Sequence, residues 1–291
     1  MEQSIKTILV IGNRGMAGHV IFRYFKQFGS YKVFGLARNI VPAEDEFNLD
    51  VYNTNELQKI IDYNCFDYIV NCIGILNKDA EDNPDKAIWY NSYFPHFLEK
   101  ITKNNISKVI HISTDCVFNG KRGNYTDDDF KDGVGYYAQS KALGEIINSK
   151  DVTIRTSIIG PELNKNGIGL FNWFMNQKEE ANLKGFSRAF WSGITTLELA
   201  EVIAEVIKQE ITGLIQVAPK EKIDKYNLLL LFNKIYRQNK MRIDKYEDYA
   251  VDKSLRSIRT DFNYHVKSYS EMLLLQKDWI AKNKDIYQLY L

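Results

Sequence analysis

Tyr137 and Lys141 are the pair of side chains in this 291-residue chain whose types and spacing best suit proton transfer. They stand four residues apart in the segment YYAQSKALGE, and this spacing puts both on one face of a helix. A protonated lysine beside a tyrosine lowers the pKa of the phenol from its ordinary value near ~10. A phenol tuned in this way can give its proton to a carbonyl oxygen as a hydride arrives.

The position of this pair distinguishes it from two others with the same spacing. Tyr236 and Tyr249 also have a lysine four residues later, but both lie in the C-terminal tail. Tyr137 instead follows a predicted strand that ends in hydroxyl side chains, in the stretch HISTDCVFNG, and it begins the next predicted helix. At the end of that strand a hydroxyl, a carboxylate and a thiol stand side by side, in Thr114, Asp115 and Cys116.

A glycine-rich turn with the spacing G-x-x-G-x-x-G follows the first predicted strand. Gly12 permits a tight turn, Gly15 lets the backbone approach a pyrophosphate, and Gly18 lets the next helix pack closely on the strand. That helix begins near Met16, and its free N–H groups and positive dipole end suit a phosphate. Because a strand precedes the turn and a helix follows it, the sequence predicts a dinucleotide site.

Two arginines indicate which dinucleotide is bound. An NAD site usually has an acidic residue at the end of the second strand, but this chain has Arg38 there and Arg14 within the glycine turn. Guanidinium groups pair well with a 2′-phosphate, so NADPH is expected rather than NADH. The predicted cofactor-binding residues are Gly12, Asn13, Arg14, Gly15, Met16, Arg38, Asp50, Val51, Cys72, Ile73, Gly74, Tyr137 and Lys141.

The elements around these residues predict an α/β fold. Short apolar runs alternate with stretches of helical periodicity through the first half of the chain, which is typical of a doubly wound parallel Rossmann sheet. The predicted NADP-binding domain covers 1–158, with 195–218 returning to it. A smaller C-terminal substrate-binding domain is expected from 159–194 and 219–291, with a tail that is mostly helical.

The bulk composition excludes several classes of protein. The formal net charge is +1, from 38 basic and 37 acidic residues, so neither nucleic acid nor an anionic membrane is an expected partner. The three cysteines lack C-x-x-C spacing, and neither a disulfide framework nor a metal site is expected. No secretory signal or long apolar run is evident, which indicates a cytoplasmic protein. A helix face of the segment containing Tyr137 could form a homodimer.

The motifs together resemble the extended short-chain dehydrogenase/reductases. More narrowly, HISTDCVFNGKRGNYTDDD followed by YYAQSKALGE is similar to the dTDP-4-dehydrorhamnose reductase family. AIWYNSYFPHFLEK, IRTSIIGPEL and FWSGITTLELA extend the likeness to about residue 205. The resemblance implies NADPH-dependent reduction of the C4 ketone of a 4-keto-6-deoxy, rhamnose-type sugar carried on a nucleotide diphosphate.

The resemblance also implies roles for individual residues. Thr114 would hydrogen-bond the sugar carbonyl oxygen, and Tyr137 would be the general acid. Lys141 would hold the nicotinamide ribose and tune Tyr137, with Asn91 positioning the lysine through water. Positioned donors around a developing alkoxide are a common electrostatic device in catalysis.

Cys116 departs from the reductase pattern, which has a tyrosine at this position. GDP-fucose synthases, which epimerise before they reduce, also have a cysteine two residues beyond the catalytic hydroxyl, so Cys116 could be an acid/base for C3 epimerisation. A small buried side chain filling the space of the tyrosine is the structural alternative. The second acid/base is expected within 163–184, where Lys165 and Lys184 are candidates.

The substrate contacts are expected beyond Arg155, where cations and aromatic side chains mix in KGFSRAFW. The predicted substrate-binding residues are Thr114, Asp115, Lys184, Arg188, Trp191 and Arg256. Whether the nucleotide is UDP, dTDP or GDP stays open, as does the substituent at C2. Two other functions also stay open: a nucleotide-sugar epimerase without net redox change, and a catalytically dead NADP-binding regulatory protein.

Overall fold

The computed structural model of the protein describes residues 5–28 and 30–290, which form two compact units of similar size. The first unit comprises the described residues up to Ser113, together with Val134–Ile154 and Val206–Ile215. The second comprises Thr114–Gly133, Arg155–Glu205 and the described residues from Gln216 onward. The segment after Ser113 therefore joins the second unit, whereas the boundary drawn from the sequence kept it in the first. No helix among the described residues is long and apolar enough to cross a membrane.

The strands alternate with helices along most of the chain. The strands are β1 (Lys6–Ile11), β2 (Tyr31–Ala37), β3 (Glu46–Asn48), β4 (Tyr68–Asn71), β5 (Lys108–Ser113), β6 (Val152–Arg155), β7 (Ile158–Ile159), β8 (Asn182–Trp191), β9 (Ile194–Thr195), β10 (Gly213–Gln216), β11 (Ile223–Asp224) and β12 (Arg242–Asp252). The α-helices are α1 (Met16–Gln27), α2 (Thr54–Asn64), α3 (Asn77–Asp82), α4 (Pro84–Ala87), α5 (Phe94–Thr102), α6 (Tyr136–Leu143), α7 (Leu170–Met175), α8 (Thr196–Lys208), α9 (Lys225–Arg237) and α10 (Tyr269–Lys282).

The first unit is built on a sheet of strand order β10-β6-β5-β4-β1-β2-β3. The pairs that join β3, β2, β1, β4 and β5 are all parallel. The inner strands are apolar and buried without alternation, because helices cover both faces of such a sheet. The strand order reverses at β1, because β2 pairs on one side of β1 and β4 pairs on the other. Ligands bind at such a switch point in open α/β sheets. The predicted doubly wound Rossmann fold is confirmed.

A helical run between β4 and β5 contains an irregular turn. Between α4 and α5 the backbone is π-helical over Ile88–Tyr93. Such turns are rare and often occur at functional sites, because the extra residue in the turn redirects a side chain. Asn91 lies within this turn and is fully buried.

The second unit contains a three-stranded sheet of order β11-β8-β12, with α9 and α10 among its helices. The expectation that the tail from Asp224 is mostly helical is wrong at β12, which pairs in parallel with β8 over much of its length. The strand was missed because its sequence RIDKYEDYAVD is rich in Asp, Glu and Lys, which are depleted in strands, and most of it is exposed. Pairing with β8 supplies the stabilisation that its own sequence lacks.

Candidate active site

A cleft of about 370 Å³ opens in the first unit. It is lined by Gly12, Arg14, Gly15, Leu36, Ala37, Arg38, Asn39, Leu49, Asp50, Val51, Cys72, Ile73, Gly74, Ile75 and Tyr90. Most of these residues come from the end of β2 and from the segments that follow β1, β2, β3 and β4, which is where a parallel sheet presents its ligand site, and Tyr90 comes from the π-helical turn. Nine of the thirteen residues predicted to bind the cofactor line this cleft.

The glycine turn has the geometry that its spacing predicts at two positions. Gly12 has a φ of +84°, a left-handed conformation that side chains rarely adopt. A Cβ atom at Gly18 would lie 2.1 Å from the carbonyl oxygen of Gly12, so only glycine lets α1 pack against the turn. The N-terminus of α1 is thereby held beside the cleft, where its dipole favours an anionic group.

The two arginines on the cleft are each paired with a carboxylate. Arg14 Nη2 lies 2.8 Å from Glu46 Oε1, and Arg38 Nη1 lies 3.4 Å from Asp50 Oδ2. The guanidinium groups remain substantially exposed, so both can turn toward a ligand phosphate at small cost because surface ion pairs are weak.

The side chain of Asn13 packs inside the first unit and does not line the cleft. Its side chain is fully buried and donates from Nδ2 to Glu46 Oε1 at 2.5 Å. Gly35 on β2 makes the room, because a Cβ there would lie 2.0 Å from Asn13 Nδ2. Met16 is half-buried at the start of α1. Of the predicted cofactor contacts in the part of the chain that the structure describes, Asn13, Met16, Tyr137 and Lys141 do not line the cleft.

Helix α6 presents Tyr137 and Lys141 from successive turns, and its N-terminus is capped from another element. Its N-cap residue, Gly135, has a φ of +94° and offers no side-chain cap. Glu81 of α3 replaces that cap, because its two carboxylate oxygens accept the N–H groups of Tyr136 and Tyr137, each at 3.0 Å. The half-buried Tyr137 is therefore fixed at its backbone by a carboxylate that lies six residues after the cleft residue Ile75.

Lys141 is 5% exposed, and its Nζ is buried beside the cleft residue Gly74. Its Nζ donates to the carbonyl oxygen of Ile112 at 2.6 Å. A Cβ atom at Gly74, a cleft residue, would lie 4.0 Å from Nζ. Burial lowers the pKa of Lys141 to about 8, although the nearby Glu145 opposes that shift.

Asn91 fastens α6 to the loop that forms the cleft wall. Its Nδ2 donates to Ser140 Oγ at 3.1 Å and to the carbonyl of Ile75 at 3.0 Å, and its Oδ1 accepts the N–H of Ile75. The helical periodicity of the sequence extends over Tyr137–Asn148, but α6 ends at Leu143. A Cβ at Gly144 would lie 1.8 Å from the Asn91 carbonyl oxygen. The π-helical turn thus brings Asn91 into contact with the residue next to Lys141.

In the second unit, the hydroxyl, carboxylate and thiol of the STDC stretch form a compact turn. Thr114 Oγ accepts the N–H of Cys116 at 3.1 Å and donates to Asp115 Oδ1 at 3.1 Å. The turn is 3₁₀-helical over Asp115–Val117. Burial, with the charge of Asp115, raises the pKa of Cys116 to about 11, so its sulfur is a protonated thiol at neutral pH.

Lys225, the first residue of α9, was missed in the sequence although it faces this turn. Burial lowers the pKa of Lys225 to about 8, while the charges of Asp115 and Cys116 act in the opposite direction. Its Nζ lies 5.0 Å from the centre of the Trp191 ring. No local motif identifies this lysine, because its neighbours come from parts of the chain that are distant in sequence.

Of the other predicted substrate residues, the structure keeps Trp191 in this cluster and separates Lys184, Arg188 and Arg256 from it. Trp191 is buried and donates from Nε1 to Ser157 Oγ at 2.8 Å. Lys184 and Arg188 lie on the opposite, exposed face of β8, since side chains alternate along a strand. Arg256 is exposed, as is Lys165. Among the predicted substrate residues, Thr114, Asp115 and Trp191 lie with Cys116 and Lys225.

Comparison with known proteins identifies the family. The model of the RmlD substrate binding domain matches residues 6–257. The chain belongs to the RmlD substrate-binding domain family. The match takes in the glycine turn, the STDC stretch and α6, and it extends well beyond the likeness that the sequence motifs alone indicated.

Individual members of the RmlD family are distant in sequence. The chain is 29% identical to the spore coat polysaccharide biosynthesis protein SpsK of Bacillus subtilis over 205 residues, which are 68% of this chain and 69% of SpsK. It is 29% identical to a dTDP-4-dehydrorhamnose reductase of Aggregatibacter actinomycetemcomitans over 156 residues, which are 52% of this chain and 50% of that enzyme. The match thus spans only about half the length of that reductase.

Solved structures confirm the fold over almost the whole chain. The dTDP-4-dehydrorhamnose reductase of Bacillus anthracis, solved in complex with NADP, superposes with a TM-score of 0.80 at 19% identity. The superposition covers 94% of this chain and 99% of that structure. The RmlD family and its fold are therefore established for this chain.

Proposed function

We propose that the protein is an NADPH-dependent reductase that acts on the C4 ketone of a nucleotide-linked 4-keto-6-deoxy sugar of the rhamnose type. The observation that carries this proposal is the placement of Lys141, which is buried four residues after Tyr137 and lies beside the cleft residue Gly74. The family match, the reductase among the relatives and the NADP complex of the B. anthracis reductase support it.

The cleft fits a dinucleotide with a 2′-phosphate. The N-terminus of α1 suits a pyrophosphate, and the close approach of Gly18 to Gly12 keeps it there. Arg14 and Arg38 both line the cleft, and a phosphate dianion can compete with Glu46 and Asp50 for their guanidinium groups. Bound NADPH would supply the hydride.

The protein side of the reaction is a proton transfer prepared by α6. Tyr137 gives its phenolic proton to the ketone oxygen as negative charge develops there. Lys141 favours this step while it is protonated, because an ammonium group stabilises the phenolate left behind. Asn91 and Glu81 hold α6 in place through their hydrogen bonds to it. Tyr137 and Lys141 therefore do not have to be ordered at the moment of reaction.

In the second unit we assign substrate contacts to the STDC turn. Thr114 would hydrogen-bond the sugar, and Asp115, which accepts the Thr114 hydroxyl, would orient it. The Trp191 ring and Lys225 complete an environment of one apolar face and two opposite charges. A C3 epimerisation before reduction is the finer part of the proposal, with Cys116 and Lys225 as its acid and base.

Loss of NADPH absorbance with dTDP- and UDP-linked 4-keto-6-deoxy sugars tests the reductase. Tyr137→Phe should lower turnover by about 10²–10⁴-fold, which is the usual contribution of a positioned acid. NADPH affinity, measured by fluorescence titration, should change less than threefold. Tyr136→Phe is the matched control, because Tyr136 is the adjacent, more exposed residue of the same helix.

Two results would contradict the proposed reductase, and a third would contradict the role of Tyr137 in it. Conversion of a nucleotide sugar without stoichiometric NADPH loss would indicate an epimerase with no net redox change. Tight NADPH binding with no conversion of either sugar would indicate a binding or regulatory protein. Full turnover by the Tyr137→Phe variant would leave the reductase in place but remove the assigned acid.

A further inference from the structure

A network of buried polar side chains connects the cleft residue Ile73 to Lys141. Asn71, at the end of β4, and His111, on β5, are both 0% exposed. Asn71 Nδ2 lies 3.1 Å from His111 Nδ1, and His111 Nε2 lies 3.5 Å from Lys141 Nζ. The N–H of the cleft residue Ile73 donates to Asn71 Oδ1 at 3.1 Å.

The donors and acceptors of this side-chain network determine which nitrogen of His111 carries the proton. Asn71 Oδ1 must face the Ile73 N–H, since the reverse orientation would place an NH₂ group against a backbone N–H. The amide nitrogen of Asn71 therefore faces His111, and an amide nitrogen can only donate. His111 Nδ1 must then accept, so a neutral His111 carries its proton on Nε2.

This tautomer points an N–H group at Lys141. An ammonium group has three donors and no acceptor, so a charged Lys141 meets another donor at His111 Nε2. A neutral amine has a lone pair and could accept from that N–H while still donating to the carbonyl of Ile112. The local hydrogen bonds therefore favour the amine form of Lys141 over the ammonium form.

The other titratable groups around the pair leave this conclusion in place. Burial holds the pKa of His111 well below its ordinary value, with Lys141 and His96 acting in the same direction, so His111 is neutral near neutral pH. Glu145 and Cys72 also face Lys141 and oppose the lowering of its pKa by burial. Glu145 itself accepts the hydroxyl of Ser113 at 2.8 Å.

We propose that Asn71 and His111 are positioning residues that fix one histidine tautomer, destabilise the ammonium form of Lys141 and so set the upper pH limit of the site. The consequence for turnover rests on the proposed reductase function. The tautomer and the titration of Lys141 do not, because both can be measured on the protein alone. A failed reductase assay therefore leaves this inference open to its own test.

Nuclear magnetic resonance can measure both quantities directly. The chain has four histidines, so ¹⁵N-histidine labelling with two-bond ¹H–¹⁵N correlation can report the tautomer of each. His111 should carry its proton on Nε2, and a proton on Nδ1 would overturn the inference. The ¹³Cε resonance of Lys141, assigned with Lys141→Arg, should titrate with a midpoint well below the ordinary lysine value near ~10.4.

His111→Phe tests the direction of the effect without adding a charge. If His111 presents a donor to Lys141, its replacement should raise the Lys141 midpoint by about half a unit or more, since an unfavourable dipole is removed. If His111 accepts from the ammonium group, the same replacement should lower the midpoint. A lower midpoint in a folded variant would therefore overturn the proposal.

Asn71→Asp tests the origin of the tautomer. A carboxylate still accepts from the Ile73 N–H, and it also accepts from His111 Nδ1–H, so the proton should move to Nδ1. The Lys141 midpoint should rise by about one unit or more, because the Nε2 lone pair now faces the ammonium group. Gln139→Glu, on the exposed side of α6, controls for added charge alone. An Nε2 proton that persists in Asn71→Asp would contradict the role of Asn71.

Discussion

The carboxylate of Glu81 accepts the backbone N–H of Tyr137 at 3.0 Å and thereby caps a helix to which it does not belong. A helix leaves its first N–H groups without internal partners, and an acidic side chain at this end is favoured by the helix dipole. Glu81 lies on α3, only a few residues after the cleft wall. The cap therefore couples the position of Tyr137 to the segment that borders the cleft.

We expect Glu81→Ala to destabilise the protein by about 1–2 kcal/mol, the usual cost of a lost cap, and to lower turnover about tenfold or more. Glu81→Gln keeps an acceptor and should lose less of both. Chemical denaturation and NADPH oxidation measure the two effects. Asp82→Ala is the control, because Asp82 is on the same short helix but pairs only with exposed Lys78 among the contacts described. Equal effects of Glu81→Ala and Asp82→Ala would contradict the role of the cap.

Substitutions at two glycines of the turn can separate an effect on fold stability from an effect on NADPH binding. A Cβ at Gly18 would lie 2.1 Å from the Gly12 carbonyl oxygen, whereas a Cβ at Gly15 would lie 3.4 Å from it. Gly18→Ala should therefore destabilise the fold by about 2–4 kcal/mol, as overpacking against backbone does. Gly15→Ala should change stability by less than about 1 kcal/mol but weaken NADPH binding, because Gly15 lets the backbone approach the pyrophosphate. Thermal unfolding with and without NADPH distinguishes these outcomes.

The sequence predicts the first unit well because its signals are local. Continuous apolar strands, the glycine turn and the Y-x-x-x-K spacing each lie within a few residues, and α1 begins at Met16, where the sequence predicts its start. The length of α6 could not be predicted in this way. It depends on Gly144 packing against the Asn91 carbonyl oxygen, a contact between residues more than fifty positions apart.

The second unit was predicted less well for the same physical reason. Strand β12 is charged and exposed, and it exists because β8 pairs with it. Lys225 acquires its significance from Asp115, Cys116 and Trp191, which no sequence spacing connects to it. Conversely, Lys184 and Arg188 look suitable in the sequence, but the alternation of β8 turns them to the exposed face.

Arg38 should govern the choice between NADPH and NADH. Arg38→Ala should weaken NADPH binding about tenfold or more and leave NADH binding nearly unchanged, since only NADPH has the 2′-phosphate that a guanidinium group pairs with. Asp50→Asn releases Arg38 from its ion pair and should not weaken NADPH binding. Isothermal titration with both cofactors measures these changes. Equal losses for the two cofactors in Arg38→Ala would show that Arg38 does not contact the 2′-phosphate.

Cys116 and Lys225 should exchange a carbon-bound proton of the sugar with solvent if C3 epimerisation occurs. The neutral amine of Lys225 would remove the proton next to the ketone, and the Cys116 thiol would return one to the opposite face. The environments suit these roles, because the pKa of Lys225 is lowered to about 8 and that of Cys116 is raised to about 11. Deuterium should then appear at C3 of the product formed in deuterated water.

The pH dependence of this exchange follows from the same groups. Below pH 8 Lys225 is mostly protonated and cannot act as a base, so the rate should rise with pH and level off above about 8. It should fall again only as the Cys116 thiol loses its proton near 11. Lys225→Arg keeps the charge but cannot give up a proton near neutral pH, so it should abolish the rise.

Lys225→Met and Cys116→Ser should each lower deuterium uptake by at least about 10²-fold relative to ketone reduction. Lys234→Met, an exposed position on the same helix, should not. Normal deuterium uptake by Cys116→Ser would assign the thiol to packing, and normal uptake by Lys225→Arg would exclude the amine as the base.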